Sequence, residues 1–193
     1  MANIAIFGGT FNPFHVGHYE MLNSVCRLDF VNKVFVMPDK IPPHKKCDYI
    51  VDDVHRISMC GLVCNDFEKA QLCLIEFERE GKSYTLDTVK LLKEKYPDDN
   101  FFIVIGGDML STLDEWYGWQ ELIKLSSFIA FKRGGVTDFD KSYNRMTACG
   151  ANIITVEDII TDVSSTMLRK KIDKDLLPIK VYEYIKEKGI YNV

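Results

Sequence analysis

A chain of 193 residues can bury a hydrophobic core without disulfide or metal staples, and its size predicts one domain spanning 1–193. Its 47% apolar and 27% charged residues are the make-up of a soluble globular protein, which excludes a disordered tail or a membrane protein. The formal net charge of −4 offers no general attraction to polyanions, so nucleic acid is not an expected partner and any phosphate must meet a local set of donors.

The chain opens MANIAIFGGT, passing straight into an apolar strand-like run at 3–7, with no secretory leader pattern. Six cysteines, Cys26, Cys47, Cys60, Cys64, Cys73 and Cys149, lack paired CxxC spacing, so a reduced, cytoplasmic setting is expected. Cys60 and Cys64 lie four apart on an expected helix. Such spacing suits a shared metal, but buried thiols are ordinary core fillers and these are read as structural.

Further strand-like runs follow at 33–37, 71–77, 101–105, 127–131 and 152–156. Between and after them, helical spacing predicts helices over 17–28, 53–65, 85–95, 119–125, 165–172 and 179–188, the last closed by Gly189. The alternation predicts an α/β fold: a Rossmann-like, mostly parallel sheet with helices on both faces. Ligands of such sheets bind beyond the carboxyl ends of the strands, near the point where strand order reverses.

The first turn is the strongest candidate site. The segment IAIFGGTFNPFHVGH, 4–18, runs from strand through Gly8 and Gly9 into a helix, whose free N–H groups and positive dipole end suit phosphate. It has neither the GxGxxG of dinucleotide-binding oxidoreductases nor the GK[ST] of a P-loop. His15 and His18, three apart at the helix mouth, can both donate to one triphosphate; the alternative is a helix cap plus one packed histidine.

Later segments carry weaker signals. MPDKIPPHKK, 37–46, is a proline-stiffened loop ending in Lys45 and Lys46. SYTLDT, 83–88, reads as a helix start capped by Ser83 or Thr85. The run at 101–105 ends in Gly106, Gly107 and Asp108, the last also suited to capping a helix, with Trp116, Tyr117 and Trp119 beyond it. Arg133 follows the run at 127–131, and VSSTMLR, 163–169, is a serine-capped helix start with Arg169 one turn on.

Taken in order, these segments resemble the bacterial nicotinate mononucleotide adenylyltransferases of the class I nucleotidyltransferase superfamily, with its (T/H)xGH signature and PPHK, SYTxDT, GxD and ISSTxIR elements. The resemblance implies transfer of the adenylyl group of ATP to nicotinate mononucleotide, with release of pyrophosphate, in NAD biosynthesis. It implies that His15 and His18 steady the reacting phosphates, and that ATP is bound by Gly8, Gly9, Thr10, Phe11, Gly106, Asp108, Ser165, Thr166 and Arg169 as well. It places Lys45, Thr85, Trp116, Tyr117 and Arg133 on the mononucleotide, and Mg²⁺ on the ATP phosphates without a metal motif of the protein's own.

Two positions depart from the family pattern: Asn12 stands where aspartate is commoner, and Gly134 where proline is. Adenylyltransferases for nicotinamide mononucleotide or 4′-phosphopantetheine, and a non-catalytic ATP-binding sensor, stay open as rivals. The second of these enzymes usually lacks SYTxDT and PPHK. Oligomeric state is not legible.

Overall fold

The computed structural model describes residues 1–40, 51–79, 83–132 and 138–191. Six strands, β1 (Asn3–Gly9), β2 (Lys33–Pro38), β3 (Ala70–Leu72), β4 (Asn100–Gly106), β5 (Ser127–Phe131) and β6 (Ile153–Val156), form one sheet in the order β3-β2-β1-β4-β5-β6. All five pairings are parallel. The chain moves outward from β1 to β3, then returns to the other side of β1 for β4, so the order reverses between β1 and β4.

The expected α/β architecture is present, and its two-faced burial follows from side-chain alternation along each strand. Ala5 and Phe7 of β1, Val34 and Val36 of β2, and Phe102 and Val104 of β4 enter one core layer. Ile4 and Ile6, Phe35 and Met37, and Phe101 and Ile103 enter the other. The first layer is covered by α1 (Val16–Arg27), α2 (Asp53–Cys64), α7 (Ser165–Lys170) and α8 (Ile179–Lys188). The second is covered by α3 (Thr85–Lys95), α4 (Gly107–Ser111), α5 (Trp119–Leu125) and α6 (Phe139–Ala148).

The strand expected over 71–77 is a correction. Only β3 pairs, at the sheet edge, and its register with β2 ends at Val36↔Leu72. The chain then turns into a 3₁₀ helix, Ile75–Glu78, which buries Ile75 in the core and brings the Glu76 carboxylate to the Thr88 hydroxyl at 2.9 Å. Helices α4 and α6 and the short 3₁₀ helices Leu113–Glu115 and Lys174–Leu176 are additional to those expected; β1, β2, β4, β5, β6 and the other α-helices fall within two residues of expectation. No helix among the described residues is long and apolar enough to cross a membrane.

Candidate active site

The sheet itself opens the site. The β1–β4 ladder stops at Ile6↔Ile103. Beyond it β1 continues to Gly9 paired with β2 alone, and β4 continues to Gly106 paired with β5 alone. The two strands therefore part at their carboxyl ends, and a cavity of about 810 Å³ lies over the gap. Gly8 and Gly9 at the end of β1, with Thr10 and Phe11 just beyond it, line it on one side, and Gly106 at the end of β4 and Asp108 in the following α4 on the other.

His15 and His18 stand at the cavity on the start of α1. His15 is the N-cap: its Nδ1 accepts from the His18 backbone N–H at 3.4 Å, while His18 Nδ1 accepts from the His15 N–H at 3.3 Å. With each Nδ1 an acceptor, each neutral ring carries its proton on Nε2, as a donor. The rings stack 3.6 Å apart, and Phe11 stands edge-on to His18 at 5.0 Å. The cap and the paired-donor readings thus describe the same two side chains. Gly17 makes room for the arrangement: a Cβ there would lie 3.0 Å from the Thr161 carbonyl and 3.3 Å from His15 Nδ1.

The carbonyls of the first turn are anchored from outside. The Asp39 N–H donates to Gly9 O at 2.9 Å, Arg56 Nη1 to Thr10 O at 2.9 Å, Arg169 Nη1 to Asn12 O at 2.9 Å, and the Ser165 hydroxyl to Pro13 O at 3.0 Å. Four acceptors that would repel a phosphate are thereby engaged, and the helix start and the histidine donors face the cavity, with the Asp39 carboxylate at the same turn accepting from the Thr10 hydroxyl at 3.3 Å. Arg56 is 1% exposed, pairs with Asp53 through Nη2, and was not legible as a site residue, since an HR pair on a helix reads as a solvated face. Asn12 uses its side-chain oxygen, an atom shared with aspartate, to accept from the Val51 N–H at 3.4 Å and the Tyr191 hydroxyl at 2.5 Å.

Opposite, Ser164 caps α7 by accepting from the Met167 N–H at 3.2 Å, and Ser165, Thr166 and Arg169 line the cavity. A second Arg169 nitrogen, Nη2, donates to the Thr166 hydroxyl at 3.0 Å, so two of its five donors hold protein oxygens.

On the side of the second core layer, Thr85, Trp116 and Tyr117 line the same cavity. The expected cap of α3 is corrected: Tyr84 occupies that position and no side chain caps it. The Thr85 hydroxyl is thereby spared a capping role, because it already lies inside the helix. Asp108, in turn, lies within α4, whose N-cap is Gly106. Trp116 and Trp119 both pack partly against the second core layer, and Tyr117, 58% exposed, leans on Tyr84 at 4.7 Å between ring centres. Lys45, Lys46 and Arg133 lie outside the described residues.

Cys60 and Cys64 belong to the core. Burial pushes the Cys64 thiol up to about 12, and the Cys60 thiol well above its ordinary value. Thiols held protonated are poor metal ligands, and no group of three or more His, Cys, Asp or Glu suited to a metal occurs among the described residues.

An all-parallel sheet in this order, open at its switch point over a phosphate-suited turn and paired histidines, defines a Rossmann-like nucleotidyltransferase. The chain belongs to the cytidylyltransferase-like family, which residues 6–171 match, and within it to the nicotinate-nucleotide adenylyltransferases. It is 41% identical over 197 residues to the nicotinate-nucleotide adenylyltransferase of Bacillus subtilis, covering 100% of both chains. Among solved structures it shares its fold with Plasmodium falciparum nicotinic acid mononucleotide adenylyltransferase complexed with NaAD. That match has 21% identity and a TM-score of 0.83, covering 100% of this chain and 98% of the other. The same enzyme complexed with APC matches at 22% identity and a TM-score of 0.79, with the same coverage.

Proposed function

We propose that this chain, acting as one unit over 1–193, transfers the adenylyl group of ATP to nicotinate mononucleotide. A phosphate oxygen of the mononucleotide attacks the α-phosphorus of ATP, the bond from that phosphorus to the β-phosphate oxygen breaks, and pyrophosphate leaves as the dinucleotide forms. The attacking phosphate is already an anion at neutral pH, so no general base is needed, and catalysis consists of positioning and charge stabilisation. Full-length similarity to an enzyme of that name supports the reading. The observation that carries it is the first turn, with its carbonyls anchored and two Nε2–H donors stacked at the strand gap.

In this reading His18 stabilises charge developing at the α-phosphate, and His15 steadies the triphosphate beside it. Gly8 to Phe11, Gly106 and Asp108 border the nucleotide, while Ser165, Thr166 and Arg169 meet the β- and γ-phosphates. Thr85, Trp116 and Tyr117 form the nicotinate end, with Lys45 and Arg133 assigned to the mononucleotide by family pattern alone.

Magnesium would enter with the ATP substrate and offset charge on the departing pyrophosphate; phosphate oxygens and water would supply most of its ligands, and Asp39 and Asp108 are the aspartates of the cavity lining that could help hold it. The deciding assay follows pyrophosphate release from ATP with nicotinate mononucleotide, its amide and 4′-phosphopantetheine in parallel. Release with the acid substrate foremost is expected; ATP binding without release from any of the three would make the chain a sensor instead.

A further inference from the structure

We propose that Tyr191 is a positioning residue for the ATP half of the site, acting through Asn12 at the far end of the chain's sequence. The inference rests on the reading that the first turn binds ATP. Tyr191 is buried, 5% exposed, and its hydroxyl donates to Asn12 Oδ1 at 2.5 Å across 179 residues of sequence.

Asn12 is where several parts of the site meet. It lines the cavity, its carbonyl is held by Arg169 from α7, and its side-chain oxygen also accepts from Val51, which lies just before α2. A shift of Asn12 therefore moves the turn that carries the N–H groups and loosens Arg169 with it. The Tyr191 hydroxyl opposes such a shift.

Backbone strain singles out the same contact. Among the described residues, the two non-glycine residues with positive φ are Phe11, at 48°, and Tyr191, at 61°. One is bonded to Asn12 and the other touches it. Left-handed backbone at bulky residues is strained and persists where surrounding contacts over-determine it, most often at functional sites. The tail achieves its approach by ending α8 in left-handed Gly189 and turning again at Tyr191. Core burial of the Tyr191 ring explains its presence as an aromatic residue; the hydroxyl, and the strained turn that aims it, are explained by Asn12.

Tyr191→Phe removes the hydroxyl at constant shape. ATP affinity is measured by calorimetry with no mononucleotide present, alongside steady-state KM for each substrate and thermal unfolding. The expected result is an ATP affinity about threefold to tenfold weaker, the range for one net hydrogen bond, with KM for nicotinate mononucleotide changed less than twofold. Unchanged ATP affinity overturns the proposal, whether or not the melting temperature falls, because a purely structural tyrosine would lower stability alone. Equal losses for both substrates overturn it as well. A wild type that binds ATP but does not turn over nicotinate mononucleotide contradicts the functional reading and leaves the calorimetric comparison decisive for Tyr191.

Discussion

His15 and His18 cap each other: each Nδ1 accepts the other residue's backbone N–H, and the rings stack at 3.6 Å. Structure and proposed chemistry therefore share side chains, and substitutions must separate the two. His18→Ala should lower kcat by roughly a hundredfold or more, the scale for removing a preorganised donor at developing charge. His15→Asn keeps a side chain that caps helices well while deleting the imidazole donor. It should hold unfolding free energy within about 0.5 kcal/mol of wild type and still lose kcat and raise the KM for ATP. Chemical denaturation run beside turnover checks both; wild-type kinetics for His18→Ala would return the pair to a purely structural role.

Arg56 supports the same turn from beneath. At 1% exposure its guanidinium holds Thr10 O at 2.9 Å and pairs with Asp53, while its Nε has no partner among the described residues. Removing one member of a buried charged pair is costly, and the cost here is moderated because the Asp53 side chain is 47% exposed. Arg56→Met should therefore destabilise the fold by about 2–3 kcal/mol and weaken ATP binding in the surviving folded fraction. A stability change below about 0.5 kcal/mol would mean that the guanidinium is not holding the turn.

Buried thiols set an alkaline limit on stability. Burial is the main cause that pushes Cys64 up to about 12 and Cys26 up to about 11, against 9.0 for an ordinary thiol. Between about pH 9 and those values the unfolded chain loses thiol protons that the folded chain keeps. The unfolded state then binds fewer protons, so unfolding free energy falls as pH rises; the contribution is fully present below about pH 9. The urea midpoint should drop from pH 8 to pH 10, and Cys64→Ala should flatten that drop. An identical pH slope in wild type and variant would refute the assignment.

Most of the fold was legible because its strands are buried on both faces and its helices carry regular apolar spacing. The misread stretch, 71–77, contains a continuous apolar run from Leu72 to Ile75 that looks like a buried strand, but β3 has a neighbour on one side only and the chain leaves the sheet after Leu72. Helix α6 shows its i, i+4, i+7 spacing in Phe139, Tyr143 and Met146 over fewer than three turns, too short a pattern to stand out from the polar residues around it, and α4 is five residues long. The candidate residues read from contiguous motifs that lie within the described residues all line one cavity. Arg56 and Tyr191 are not legible in that way, because their contacts to Thr10 and Asn12 exist only in the folded chain.

The nicotinate end yields the sharpest prediction, a preference for the acid mononucleotide over its amide. Thr85 lies at the start of α3 with Tyr84 as cap, so its hydroxyl is not consumed in capping, and it lines the cavity together with Trp116 and Tyr117. A helix start of this kind offers N–H groups and a positive dipole end, which suit a ring carboxylate that only accepts hydrogen bonds and carries an extra negative charge. The amide would turn N–H₂ toward those donors and leave at least one unpaired. Sites built to pair a polar group can reject analogues that fail to pair by about 10⁴ or more, but a partly exposed site lets water and an amide flip soften the penalty. A kcat/KM preference of at least roughly a hundredfold, about 2.7 kcal/mol, is expected for the acid. Thr85→Val deletes the donor at nearly constant shape, so it should reduce kcat/KM for the acid by about tenfold, one hydrogen bond to a charged group, while leaving the amide within about twofold of wild type. Both mononucleotides are assayed with both proteins at saturating ATP. Equal wild-type efficiencies would remove acid selectivity, and a Thr85→Val variant that lowers both substrates alike would show the hydroxyl supporting the helix start and not the ring carboxylate.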